Sequence, residues 1–302
     1  MVKLGIASKA KDWLLAAWLN VCVSVQKGRP ITLVDLYAGD GEVQASLPDG
    51  TTETWAGSSV RMAEAAARAT HGGVHLFVNE AGKRNYKRLL ERLEPYKKVV
   101  AGSFNLDARV AVDEILPRLN PKHHNFVFID PYSTAEIDLP TIRRVASVSM
   151  LDSYREKIFT RRPEIMFTFM TSGMPRVDES YHDKFFKGFD WRAPFHLDRD
   201  AGYPASYSFI TALSTAMVDF YANLWQFEVK SPKGPVIYYI LFWATHPLAN
   251  ELFPKIQRYA YRHRDQDVLR KYVTLERRVA AIGKRGKTLE AFDANGRTTK
   301  SR

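Results

Sequence analysis

The chain has one cysteine, Cys22, among 302 residues. A single thiol excludes an internal disulfide and a cysteine-only zinc centre. Cys22 lies among apolar residues and reads as a core thiol rather than a nucleophile, which fits a reducing cytoplasm. No stretch reaches the roughly 20 continuous apolar residues of a membrane span, so no membrane partner is expected. The first residues place Lys3, Lys9, Lys11 and Asp12 around a helical pattern, without a small-residue cleavage site, and no signal peptide is expected. The histidines form no ligand pattern: His123 and His124 are adjacent and point apart on a strand, while His182 and His196 have no matching ligand cluster. No metal site is expected. The sequence also lacks the Gly-x-Gly-x-x-Gly of dinucleotide enzymes and the lysine of a P-loop. There is no internal repeat.

Positive charge is abundant and uneven. The formal net charge is +11, and from Lys255 to the end there are 14 Lys/Arg against 5 Asp/Glu, leaving only +2 for the rest. A concentrated basic segment attracts polyphosphate through counterion release and steering, so nucleic acid, DNA or RNA, is the expected partner. A solvated helix and tail would have the same composition. The 45 % hydrophobic and 25 % charged content is that of a globular protein.

Apolar periodicity orders the chain. A helix is expected over 9–25, from Leu14, Leu15, Trp18, Leu19 and Cys22, stopped by Gly28-Arg29-Pro30. A buried strand follows at Ile31–Leu36 and opens into Ala38-Gly39-Asp40-Gly41. Residues 44–56 read as a polar excursion. Gly57-Ser58-Ser59 opens a helix with serine available to cap it. Further strands are expected at 74–79, 99–100, 125–130, 165–170, 226–230 and 236–245, with helices at 83–93, 108–118, through most of 138–158, and at 210–225. Strands alternating with helices imply a parallel sheet. The short turn Ser231-Pro232-Lys233-Gly234-Pro235 permits only an antiparallel last pair. The expected fold is therefore α/β and Rossmann-like: a seven-stranded, mostly parallel sheet with an antiparallel last strand and helices on both faces. It spans residues 1–254. Residues 173–207, rich in aromatic and basic groups (Tyr181, Phe185, Phe186, Trp191, Phe195, Arg176, Arg192, Arg199), read as an inserted lid suited to base stacking, or as an ordinary packed segment. Residues 255–302 read as a basic helix after Pro254 and a disordered tail.

Four places could carry chemistry, all beyond the carboxyl ends of strands, where open parallel sheets bind ligands. The first is Asp35 with Gly39, Asp40 and Gly41: glycine lets a ligand approach the backbone. The second is Glu80, ending the second strand, placed either to accept from ribose hydroxyls or to favour a helix amino terminus. The third is Asn105 and Asp107, after the third strand; Asp107 could equally cap the next helix. The fourth is Asp130-Pro131-Tyr132, ending the fourth strand, which either meets a target or shapes a tight loop.

These patterns resemble known enzymes. Asp-x-x-x-Gly-x-Gly is similar to the first motif of class I S-adenosylmethionine (AdoMet) methyltransferases. Asp130-Pro131-Tyr132 is similar to the Asp/Asn-Pro-Pro-Tyr of methyltransferases that act on base amino groups, with one proline missing. More specifically, the chain resembles the three-Cys-motif partner protein family (TcmP). The matches are the lysine-led first helix (Lys11, Leu14, Trp18), VDLYAGDGEV, Gly57-Ser58-Ser59-Val60-Arg61, FVFIDPYS and YYILFWATHP, together spanning about residues 9–247. Asp40, Ser59 and Ser133 depart from that family's usual proline, proline and glycine. The resemblance implies AdoMet as cofactor, held by Asp35, Gly39, Asp40, Gly41, Glu80, Asn105 and Asp107, with Asp130, Pro131 and Tyr132 facing a target. It also implies a possible protein partner. The expected function is methyl transfer to nucleic acid, a base amino group favoured. The alternatives are a non-catalytic partner subunit of a nucleic-acid-modifying system, and a methyltransferase for small molecules or protein.

Overall fold

In a computed structural model, which describes residues 6–25, 29–46, 52–69, 73–171, 179–230 and 236–262, the apolar runs pair into one seven-stranded sheet. The strands are β1 (Ile31–Asp35), β4 (Val74–Asn79), β5 (Val100–Phe104), β6 (His124–Ile129), β9 (Glu164–Met170), β10 (Leu224–Lys230) and β11 (Val236–Trp243). Two hairpins stand outside it, β2 (Glu42–Ser46) with β3 (Thr52–Ala56), and β7 (Met150–Tyr154) with β8 (Lys157–Arg161). The sheet order is β10-β11-β9-β6-β1-β4-β5. Pairs from β9 to β5 are all parallel, and β11 runs antiparallel to both neighbours. A reversed last strand inserted beside β9 is the arrangement of a Rossmann-like class I methyltransferase sheet, as the sequence leads one to expect.

The sheet is central because its strands are apolar on both faces: every residue of β1 and β6 is buried. Helices cover both sides. One face packs against α1 (Ile6–Val25), α2 (Ser58–Arg68), α3 (Lys83–Leu93) and α9 (Pro247–Arg262). The other packs against α4 (Ala108–Ile115), α5 (Leu139–Ser147), α6 (Glu179–Phe185), α7 (Arg192–Asp200) and α8 (Ala205–Ala216). Helix α1 is enclosed: Trp13, Leu14, Leu15, Trp18 and Leu19 are all buried.

Four expectations are corrected. The helix expected at 210–225 runs over Ala205–Ala216, and Leu224 already begins β10. Residues 150–158, within a stretch expected to be mostly helical, instead belong to the β7–β8 hairpin, which turns through Arg155 (φ 49°) and Glu156 (φ 65°). Two consecutive left-handed residues match the twist of a two-residue hairpin turn, but Arg-Glu carries none of the usual glycine or asparagine signal. The helix expected after Pro254 begins at Pro247 and runs through Pro254, so the expected domain boundary falls inside it. A mid-helix proline costs about 3 kcal/mol. Burial of Leu252, Phe253 and Ile256 offsets it, with the Phe253 ring stacked 4.1 Å from Phe242 and 5.7 Å from Trp18.

The fourth correction concerns the aromatic lid. Phe185, Phe186, Trp191 and Phe195 are buried in the core beneath α6, α7 and α8, with Phe185 and Phe186 each 4.8 Å from Phe209 and Phe209 stacked 4.6 Å from Phe169. Arg192 pairs with Asp183 and Glu179. These rings fill the space between helices and sheet and are not available to stack on bases. Arg176 and the tail 263–302 lie outside the described residues. No helix of the described residues is long and apolar enough to cross a membrane.

Candidate functional site

The carboxyl ends of β1, β4, β5 and β6 lie side by side, so the loops that follow them share one edge. The loop after β1 is stitched to both neighbours: Leu36 N donates to Phe128 O (3.1 Å) and Ala38 N to Asn79 O (2.9 Å). Its two glycines serve different ends. Gly39 has φ +60° and nothing within 4 Å of where a Cβ would sit, so it faces open space. Gly41 has φ +80°, and a Cβ there would press on Leu89 and Val60 at 3.2 Å. Gly39 thus leaves room for a ligand beside the backbone, and Gly41 lets α2 and α3 close behind the loop.

Glu80 clamps this turn. One carboxylate oxygen accepts from Gly39 N at 3.0 Å, the other from Gly82 N at 2.8 Å. The second oxygen also lies 3.5 Å from Asn85 Nδ2, whereas Oε2, with Gly39 N as its one donor among the described residues, retains lone-pair capacity, so the carboxylate can hold the glycine turn and still receive a ribose hydroxyl. Asn105 reaches the same place: its Nδ2 donates to Glu80 O (2.7 Å) and Ala81 O (2.9 Å). Open space at Gly39 beside a part-engaged carboxylate fits the methionine-to-ribose portion of AdoMet. Gly39, Glu80 and Asn105 are the residues that would line it.

Three sequence-predicted contacts are otherwise employed. Asp35 is fully buried and accepts from Ser58 Oγ (2.6 Å), Ser59 Oγ (2.7 Å) and Tyr37 N (3.3 Å). Burial pushes its carboxyl up to about 6, against the lowering by the two serines. With no accessible surface it ties α2 to β1 from below, and the cofactor contact expected of it is corrected to a supporting role. The same bonds give the buried Ser59 hydroxyl its partner. The serines do not cap α2, whose N-cap is Gly57. Asp40 turns away, pairing with Arg92 (3.0 Å) and Arg88 (3.6 Å) of α3. Asp107 caps α4, accepting from Arg109 N at 2.9 Å, and pairs with the Arg109 guanidinium, which holds its carboxyl below the usual range.

Asp130, Pro131 and Tyr132 leave β6 on the same edge. Pro131 is buried, whereas Tyr132 is 65 % exposed. The loop is held by Tyr132 N donating to Glu136 Oε2 (3.1 Å) and by Ser133 Oγ accepting from Ala135 N (3.1 Å). Ser133 thereby starts a short helical turn where a glycine is usual. Asp130 Oδ2 is bonded by the Lys11 ammonium from α1; Oδ1 makes no bond among the described residues. Next to Lys11, Asp12 accepts from Trp55 Nε1 of β3 at 2.6 Å. Burial pushes the Asp12 carboxyl up, with Lys11 and Trp55 opposing.

Two groups were not singled out as contributors from sequence. Asn79 is buried, donates to Leu36 O and Leu106 O (3.1 Å each) and accepts from Leu106 N (3.2 Å), so it fixes the loops after β1 and β5 to each other. At the opposite edge, the ligand-type atoms of Cys22, His124 and Glu164 lie within 4.8 Å of one another. Glu164 Oε2 accepts from Trp18 Nε1 (3.2 Å) and Cys22 Sγ (3.8 Å) and faces His124 Nε2 at 3.2 Å. No spacing in the sequence joins residues 22, 124 and 164.

No protein-family model and no curated protein matches the chain. Among solved structures, protein LPL1258 from Legionella pneumophila is similar at 12 % identity, over 80 % of this chain and 88 % of that one, with a TM-score of 0.47. An O-methyltransferase from Bacillus cereus in complex with SAH is similar at 12 % identity, over 76 % and 80 %, at 0.39. The METTL16 methyltransferase domain is similar at 10 % identity, over 76 % and 65 %, at 0.38. The fold class rests on the strand order and pairing of this chain.

Proposed function

We propose that this protein is an AdoMet-dependent methyltransferase acting on nucleic acid in the cytoplasm, with an exocyclic amino group of a base as the favoured target. The observation that carries the reading is one edge of the sheet. There an open Gly39 turn clamped by Glu80 lies beside a loop whose Asp130 keeps Oδ1 free and whose Tyr132 ring stands in solvent. When bound, AdoMet supplies a methyl carbon on a sulfonium whose bonding pair stays with sulfur. The residues of this chain do the positioning. Asp130 Oδ1 accepts a target N–H and keeps the nitrogen lone pair directed away from itself. Tyr132 offers a face for an unstacked base. After the new N–C bond forms, the surplus proton on nitrogen passes to solvent. Positioning and exclusion of water are the main levers in such a displacement. The resemblance to the TcmP family supports the cofactor more than the substrate.

The test is tritium transfer from labelled AdoMet to DNA, RNA and protein in parallel, with nucleoside digestion of any labelled pool and calorimetry of AdoMet binding. Label on a base nitrogen is expected. Label on ribose oxygen or on protein would replace the target. Asp130→Ala should lower transfer by about 100-fold or more while AdoMet affinity stays within about threefold; unchanged transfer would remove Asp130 from the reaction.

A second reading is favoured by the same contacts. Both Glu80 oxygens and Asp130 Oδ2 are already bonded within the fold, as suits a non-catalytic subunit of a modifying complex. AdoMet binding without transfer to any pool would select it.

A further inference from the structure

Lys11 is separated from Asp130 by 119 residues, yet its ammonium bonds the Asp130 carboxylate at the edge described above. The two side chains are 15 % and 18 % exposed. Both ends of this contact are rigidly mounted. Helix α1 is anchored by the buried side chains Trp13, Leu14, Leu15 and Trp18, and Asp130 stands between buried Ile129 and buried Pro131. The charged groups that Lys11 feels are known from each element around it: Asp130 after β6, Asp12 on its own helix and Asp35 at the end of β1. Burial alone would lower the Lys11 pKa, but these carboxylates outweigh it and the net shift is upward, so the amine stays protonated.

A carboxylate on a free rotor offers two equivalent acceptors in many directions. Here one oxygen is consumed and the other has no partner among the described residues. We propose that Lys11 is the positioning residue for Asp130: it holds Oδ2, fixes the side-chain rotamer, and leaves Oδ1 as the one acceptor presented to the target. The pair carries no net charge, so Oδ1 suits a neutral N–H donor, such as an aromatic amine, better than an aliphatic ammonium, which would meet the Lys11 charge. This inference rests on the transfer reading above and adds to it a residue twenty positions before β1.

The experiment uses the full chain with Lys11→Met, Lys11→Arg and Asp130→Asn. Transfer is resolved into kcat and KM for nucleic acid, AdoMet binding is measured by calorimetry, and the Lys11 amine is titrated by competitive acylation with peptide mass spectrometry. Lys11→Met should lower kcat about 30-fold or more, the scale of a misplaced catalytic group, with AdoMet affinity within about twofold. Lys11→Arg should recover part of kcat. In Asp130→Asn the Lys11 amine should titrate at lower pH than in the wild type, because burial is then less opposed. Wild-type kcat in Lys11→Met, or an unmoved Lys11 titration in Asp130→Asn, would overturn the proposal. If Lys11→Met does not fold, the Lys11→Arg split between kcat and KM decides: a change in KM alone overturns it. A wild-type protein that binds AdoMet but transfers to nothing fails the transfer reading and takes the positioning role with it. A wild-type protein that transfers, beside an equally active Lys11→Met, fails this inference alone.

Discussion

One helix serves both ends of the sheet. From α1, Lys11 and Asp12 reach the edge where β1, β4 and β6 end, while Trp18 and Cys22 reach the edge where β6 and β9 begin. Lys11 and Cys22 are eleven residues apart, about 16 Å along a helix. Both ends gather ionisable groups away from water. At the amino edge Glu164 is closed in, with three donor-type atoms around Oε2 and only 2 % of the residue exposed to solvent. At the carboxyl edge Asp130 and Glu80 are part-engaged, each with an acceptor position to spare and an opening to solvent at Gly39 or Tyr132. The density of polar side chains is similar; what separates a binding edge from a structural one is unspent hydrogen-bonding capacity facing a space.

The strongest way to break this contrast is at the closed end. Glu164→Ala would remove the acceptor of Trp18 Nε1 in the core, and breaking such a buried cluster costs about 3 kcal/mol or more. Urea denaturation should show that loss, while AdoMet affinity in the folded protein stays within about twofold. A fall in affinity without a fall in stability would mean that α1 transmits changes from one edge to the other.

The next largest effect sits beneath the open edge. The folded state holds the Asp35 carboxyl at about 6 against a usual 3.8. Between those values the folded protein keeps a proton that the unfolded chain has lost. The contribution of Asp35 to stability is therefore greatest below pH 4, falls as pH rises through 6, and is level above. Two pH units correspond to about 3 kcal/mol as an upper bound. Denaturation of wild type and Asp35→Asn between pH 4 and 7 should show a shallower fall in the variant. Parallel curves would mean that Ser58 and Ser59 fully compensate the buried charge.

Glu80→Ala sharpens the comparison from the ligand side. Loss of a carboxylate that both braces Gly39 and accepts from a ribose should weaken AdoMet about tenfold, or about 1.4 kcal/mol, by calorimetry. Unchanged affinity would leave Glu80 as a loop brace only.

Much of this was legible in the chain. The mostly parallel seven-stranded sheet and its reversed last pair followed from alternation and from one short Pro-Gly turn, because a parallel crossover needs length. The edge positions of Gly39, Glu80 and Asp130 followed from where each strand stops. Residue type did not reveal what each side chain spends its bonds on. Asp35 reads as a ligand carboxylate, yet two serines 23 and 24 residues away claim it. Phe185, Phe186 and Trp191 read as a stacking surface, because buried and exposed aromatic clusters look alike until the facing helix α8 is placed. The Arg155-Glu156 turn breaks the usual turn chemistry and left no signal. Lys11 stands out in the sequence only as part of the lysine-led first helix, and only the fold brings it to Asp130.

The smallest effect tests whether a carboxylate at the open edge is a ligand contact at all. Asp107 is among the residues expected to hold the cofactor, and it also caps α4. Removing a cap costs about 1 kcal/mol, and serine caps nearly as well as aspartate. Asp107→Ala should therefore lose about that much stability and Asp107→Ser should regain it. If capping is all Asp107 does, AdoMet affinity is the same in both. If Asp107→Ser restores stability but not affinity, the carboxylate touches the cofactor despite its bond to Arg109, and the binding edge extends from β1 and β6 out to β5.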